Sequence, residues 1–141
     1  MIPMGTLIVL DSCTIIQLIR NNEIGKQLER QYYLSARKND IIISSVTYAE
    51  VIAFATYQKW SPRKIGILEE FMDQLPMINV GDQWVIKMYI ELYVAARKRG
   101  RVMSQNDIWI AATAKATDAV LLTVDKDFQW IPEELFRVIV A

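Results

Sequence analysis

The sequence predicts an α/β fold, with helices on both faces of a parallel sheet. Three observations carry that prediction. Short runs of β-branched and other apolar residues recur along the chain, and they are apolar at every position rather than at alternate ones. That pattern suits strands buried on both faces. Longer segments between them repeat their apolar residues at helical spacing. Strand and helix patterns alternate throughout, and such alternation builds parallel sheets. With 141 residues and no repeat, low-complexity tract or linker, residues 1–141 are expected to form one domain, large enough to bury a core.

The elements follow in order. Thr6-Leu7-Ile8-Val9-Leu10 is the first strand and runs straight into Asp11. Ser12 to about Asn21 is a helix carrying Ile15, Ile16, Leu18 and Ile19, and Asn21-Asn22 breaks it. A second helix is expected over 24–37, with Leu28, Tyr32 and Ala36 at helical spacing, followed by a turn at Lys38-Asn39-Asp40. Ile41-Ile42-Ile43-Ser44 is a short apolar strand ending in serines. A helix over 47–59 places Val51, Phe54 and Ala55 on one face. Ser61-Pro62 restarts a helix, because serine suits the N-cap and proline the first turn. It stops near Gln74, before Pro76. Residues 77–80 are a short strand. Gly81-Asp82 opens the longest helix, to about Arg99, with an apolar stripe of Val85, Met88, Tyr89, Leu92 and Ala96. Gly100 ends it, and Ser104 opens a helix through Ala116. Residues 119–124 are a buried strand ending at Asp125, and 136–140 are the last strand.

Composition narrows the chemistry. Sixteen basic residues balance sixteen acidic ones, so nucleic-acid binding would rest on local patches rather than net charge. Histidine is absent, which excludes Ser-His-Asp and Cys-His catalysis and histidine-ligated zinc. Cys13, the single cysteine, is expected in the core. It has no partner for an intramolecular disulfide, which favours a reducing compartment. Neither a signal peptide nor a stretch long enough to span a membrane is visible, so a soluble, cytoplasmic protein is expected.

Ligands of open α/β sheets collect at the carboxyl ends of the strands. Asp11 and Asp125 both stand there. Glu50 lies less than two turns beyond the strand at 41–44, and Asp107 lies in the first turn of the helix opened by Ser104. Each has an ordinary alternative. Thr47-x-x-Glu50 and Ser104-x-x-Asp107 have capping-box spacing, and Asp125 suits a turn or short cap. The two roles stay open residue by residue. Four carboxylates in one crevice nevertheless repel one another unless a counter-charge joins them. The sequence pattern sets no buried lysine or arginine among them. A divalent cation meets that need, and all-oxygen ligation selects a hard ion, Mg²⁺ or Mn²⁺.

The segments Leu-Asp11-Ser, Ser-Val-Thr-x-x-Glu50-Val, Asn-Asp107-x-x-Ile-Ala-Ala-x-Ala and Leu-Leu-Thr-x-Asp125-x-Asp-Phe together resemble the PIN-domain ribonucleases. Within that family they are most similar to the VapC-type toxins of toxin–antitoxin pairs. The resemblance spans nearly the whole chain in the family's order. It implies a three-layer α/β/α fold with a central parallel sheet of about five strands. It puts Asp11, Glu50, Asp107 and Asp125 at the metal-site positions, and Ser12 and Thr123 at supporting hydroxyl positions, with Asp127 sharing or replacing the role of Asp125. It also implies an RNA substrate, a homodimer and a cognate antitoxin protein. A bound divalent ion would activate water and polarise the phosphoryl group, so cleavage needs no imidazole.

Arg97-Lys98-Arg99-Gly-Arg101 is the densest basic cluster. It either complements the helix dipole or steers phosphate. Arg37-Lys38, Arg63-Lys64 and Lys115 are weaker candidates. Trp84, Tyr89, Tyr93 and Trp109 suit base stacking, core packing or a dimer interface. The apolar face formed by Phe54, Tyr57, Trp60, Ile67, Leu68 and Phe71 is either core or a groove for a partner helix. Two rival enzymes fit poorly. A haloacid-dehalogenase-type phosphatase needs a second aspartate where Cys13 stands, and a receiver domain needs an acidic pair after the first strand. A catalytically silent PIN-like scaffold for binding protein or RNA is the alternative from another class, and the four filled acidic positions argue against it.

Overall fold

The structure, a computed structural model, describes residues 2–141. Strands β1 (Ile8–Leu10), β2 (Ile41–Ser44), β3 (Met77–Ile78), β4 (Val120–Thr123) and β5 (Val138–Val140) form one sheet in the order β3-β2-β1-β4-β5. Every pairing is parallel, as expected. Six α-helices surround it: α1 (Ser12–Arg20), α2 (Glu23–Tyr32), α3 (Ser45–Tyr57), α4 (Pro62–Asp73), α5 (Gln83–Lys98) and α6 (Gln105–Ala116).

Register explains the three layers. Ile8 pairs with Ile41 and Val120, and all three enter the core shared with α1–α4. Val9 pairs with Ile42 and Leu121, and these face the core shared with α5 and α6. Successive strand residues point to opposite faces, so uniformly apolar strands fill both cores. Helix α6 is buried on most sides through Ile108, Ile110, Ala111, Ala112, Thr113 and Ala114. Its alanines let it lie close to α5 and the sheet.

The chain runs outward from β1 through β2 to β3, then returns to place β4 on the other side of β1. The order therefore reverses at β1 and β4, where such sheets open a crevice at their carboxyl ends. Asp11 leaves β1 there, and Asp125 follows β4 by two residues.

Several expectations need correction. The helix expected over 24–37 ends at Tyr32, because Tyr33 turns left-handed (φ 54°) and a 3₁₀ segment, Leu34–Asp40, follows. Arg37 turns inward from that segment. It is buried and donates to the carbonyls of Tyr32 (2.8 Å), Pro3 (3.1 Å) and Ile2 (2.5 Å), so it is no surface phosphate ligand. Ala36 is exposed, since the helix that would bury it has ended. Helix α3 starts at Ser45 rather than Thr47, with the Ser44 hydroxyl accepting from the Val46 amide. Cys13 is exposed, because α1 turns Thr14, Ile15 and Ile16 inward instead. Leu68 belongs to the core, while Tyr57 and Ile67 of the same expected face are exposed. No helix among the described residues is long and apolar enough to cross a membrane.

Candidate metal centre

Asp11 is the buried floor of the crevice, 3% exposed. It caps α1: Oδ1 accepts from the Thr14 amide at 3.1 Å and from the Thr14 hydroxyl. Oδ2 accepts from the Thr123 hydroxyl at 2.5 Å. A carboxylate oxygen offers two lone pairs, so Oδ1 is saturated and Oδ2 retains room for one more partner. Both hydroxyls are used twice. Thr14 Oγ1 accepts from the Val124 amide at 3.2 Å, and Thr123 Oγ1 accepts from the Asp125 amide at 2.9 Å. The loop leaving β4 is thus stitched to Asp11 through two threonines. Burial raises the Asp11 pKa above its ordinary value. The Thr123 and Thr14 bonds oppose that rise, and the nearby charge of Asp125 adds to it.

The opposite wall is open. Asp107, Asp125 and Asp127 each offer an oxygen, and these lie within 4.8 Å of one another. Asp107 and Asp125 are partly buried and Asp127 is exposed. The local structure explains the convergence. Ser104 caps α6 by accepting from the Asp107 amide at 3.2 Å, which fixes Asp107 in the first turn. Asp125 caps the 3₁₀ turn Lys126–Phe128 by accepting from the Asp127 amide at 2.9 Å, which brings two carboxylates into one turn. Burial pushes Asp107 up to about 6. The Ser104 hydroxyl lowers it in part, and the charges of Asp125, Glu50 and Asp11 raise it again.

Glu50 is near enough for its charge to be felt at Asp107 and Cys13. With α3 starting at Ser45, it is one turn too deep to cap its own helix. Its Oε1 accepts from the Ser12 hydroxyl at 2.7 Å and its Oε2 from the Asn106 side chain at 2.8 Å. Ser12 therefore holds Glu50, not Asp11. Thr47, its expected capping partner, is buried with an unpartnered hydroxyl. The Cys13 thiol shares the neighbourhood. Partial desolvation pushes it up to about 11, with the charges of Asp11, Asp125, Asp107 and Glu50 adding to the effect.

Sequence reasoning misses Thr14 and Asn106. Asp11-x-x-Thr14 has the spacing of a cap, which is a usable signal for Thr14. Asn106 adjoins Asp107, but its partner is 56 residues away. Of the basic cluster, Arg101 lines a groove that also contains Asp107 and Asp127. Arg97 instead lies over the Tyr93 ring at 4.8 Å, and Arg99 donates back to the Ala95 carbonyl at 3.3 Å. Lys98 is exposed at the end of α5. Tyr89 stacks on Trp109 at 4.0 Å between α5 and α6, which makes that pair packing rather than a free base platform.

The donor set fits a hard divalent ion. It consists of carboxylate oxygens, and the only ion pair among the described residues, Lys115–Glu91, does not involve the crevice. Burial without a counter-charge is what raises Asp11 and Asp107, and a cation relieves it.

Comparison with known proteins follows the same lines. The family model for the PIN domain matches residues 8–134. The ribonuclease VapC1 of Haemophilus influenzae (strain R2866) is 28% identical over 126 residues, covering 89% of this chain and 92% of the relative. The ribonuclease VapC2 of Rickettsia felis is 31% identical over 100 residues, covering 70% of this chain and 74% of the relative. Among solved structures, VapBC-1 from nontypeable Haemophilus influenzae matches with a TM-score of 0.75 and 26% identity over 95% of this chain and 97% of that one. VapBC2 from Rickettsia felis, bound to a promoter DNA fragment, matches with a TM-score of 0.76 and 22% identity over 96% and 98% of the two chains.

Proposed function

Because the chain belongs to the PIN domain family, we propose that it is a divalent-metal-dependent endoribonuclease, the toxin of a toxin–antitoxin pair, acting as a single PIN-like domain over residues 1–141. The observation that carries this reading is the oxygen-only crevice at the sheet's switch point. There Asp107, Asp125 and Asp127 converge within 4.8 Å, and the hydroxyl-bonded Asp11 is near enough for its charge to be felt at Asp107. Mg²⁺ or Mn²⁺ held by these carboxylates would lower the pKa of a bound water and stabilise charge on the phosphoryl group. Asp11 offers Oδ2, with Thr14 and Thr123 fixing its orientation. Asp107 and Asp125 are the main ligands on the open wall, and Asp127 joins them rather than standing behind them. Glu50, oriented by Ser12 and Asn106, binds the ion or aligns the attacking water.

The partners follow the relatives. A cognate antitoxin would cover exposed apolar surface, and Tyr57 and Ile67 on α3 and α4 provide some. Homodimerisation would use the outer face of α5, where Ile86, Ile90, Tyr93 and Val94 are exposed at helical spacing. A cytoplasmic location suits the free thiol of Cys13 and an RNA substrate. The test is cleavage of varied RNAs with Mg²⁺ or Mn²⁺, with EDTA and Asp11→Asn as controls. Cleavage that both controls abolish supports the proposal; no cleavage of any RNA together with no metal binding contradicts it.

A further inference from the structure

A groove of about 730 Å³ opens from the carboxylate crevice between the α5–α6 connection and the segment after β4. Asp107 and Asp127 line it together with two basic residues, Arg101 from the α5–α6 connection and Lys126 from the segment after β4. We infer that this groove is the path of a single RNA strand, with Arg101 and Lys126 clamping a backbone phosphate next to the one that is cut. The inference rests on the ribonuclease reading and adds Lys126, which lies outside the basic cluster at the end of α5.

Three observations carry it. First, both cations are exposed, and neither lies within ion-pair distance of a carboxylate, although two aspartates share the groove. Their charge is therefore free for a phosphate. Second, the backbone sets where each side chain leaves the chain. Gly100 adopts a left-handed turn (φ 67°), and the Arg101 amide donates to the Ala96 carbonyl at 2.9 Å, which closes α5 and turns the chain into the groove wall. Lys126 opens the 3₁₀ turn capped by Asp125, so its position is tied to a candidate ligand. Third, the charge pattern suits a phosphodiester strand. Asp107 and Asp127 alone would repel the backbone, and two cations in the same groove offset that repulsion. A groove with exposed cations beside its carboxylates suits a single strand, whose backbone follows a positively charged groove.

The experiment uses a short, end-labelled, random-sequence single-stranded oligoribonucleotide, with binding followed by fluorescence anisotropy across a salt series. Binding is read in an Asp11→Asn background with Mg²⁺, and steady-state cleavage in the otherwise unchanged chain. Arg101→Glu and Lys126→Glu are made singly and together, with Arg101→Gln and Lys126→Gln as milder variants and Lys26→Glu on α2 as control. The log–log salt slope is expected to fall by about 0.7 for each phosphate left without its cation. KM should rise about tenfold in the double variant while kcat stays within about twofold, the pattern of weakened uniform binding. Wild-type slope and KM in the folded double variant would overturn the proposal, as would equally tight, Arg101- and Lys126-dependent binding of duplex RNA. If no RNA is cleaved yet the slope still depends on these two residues, the groove stands and the ribonuclease reading falls.

Discussion

The two walls of the crevice hold their carboxylates in opposite ways. On the inner wall Asp11 is buried, and three donors from Thr14 and Thr123 fix its geometry. On the outer wall Asp107, Asp125 and Asp127 sit at a helix start and a tight turn, close together and partly or fully open to water. The inner wall is preorganised by the protein itself. The outer wall is a set of like charges whose repulsion a cation relieves at neutral pH and a proton on Asp107 relieves in acid. The difference gives the inner wall the added task of setting position, while burial without a counter-charge makes both walls favour a cation.

The largest expected effect comes from breaking the inner wall. Asp11→Asn should cut RNA cleavage by more than about a hundredfold, since even residues that only support a metal ligand cost about 10–100-fold. A smaller loss belongs to Thr14→Val, which keeps the side-chain shape but removes the hydroxyl. Activity should fall by about tenfold. Stability should fall by about 1–3 kcal/mol, because the Val124 amide and one Asp11 lone pair lose their partner. Thr14→Ser should restore most of both, measured by cleavage rate and chemical denaturation.

The outer wall should behave with the opposite sign in stability. In the metal-free protein Asp107 has a pKa of about 6 against an ordinary 3.8, so the folded state binds more protons in that window. Stability therefore falls as pH rises from 3.8 through 6, and the penalty is complete at neutral pH. Asp107→Asn should raise metal-free stability at neutral pH by on the order of 1 kcal/mol, discounted because the group is partly solvated, and the gain should vanish in acid. The same variant should weaken Mn²⁺ binding. Denaturation curves at two pH values, with and without Mn²⁺, check both signs. The smallest effect is expected for Asn106→Ala. Its bond to Glu50 is exposed, so the loss should stay within about 1 kcal/mol and a few-fold in rate.

The same contrast explains what is legible in the sequence. Strands show themselves through uniformly apolar runs, and Asp11 and Asp125 through their position at strand ends. Those are local signals. Thr123 is reached by resemblance, but its bond to Asp11 joins residues 112 apart, and Ser12 reaches Glu50 across 38. No local pattern carries such distances, so the sequence puts Ser12 at a supporting position without showing that Glu50 is its partner, and misses Asn106. The second helix reads too long because Leu28, Tyr32 and Ala36 keep helical spacing. The left-handed Tyr33 ends the helix, and the inward Arg37 is held by tertiary contacts with Ile2 and Pro3. Cys13 looks like core from its apolar neighbours, and only the position of α1 at the crevice turns it outward.

The most direct test follows Mn²⁺ binding and RNA cleavage in the same samples as pH is lowered from neutral, because the proton that Asp107 takes up near 6 in the metal-free protein competes with the ion. A carboxylate-held ion predicts saturable Mn²⁺ binding at neutral pH, with binding and cleavage lost together in acid and on adding EDTA. Cleavage that persists in EDTA, or no Mn²⁺ binding at neutral pH, would contradict it.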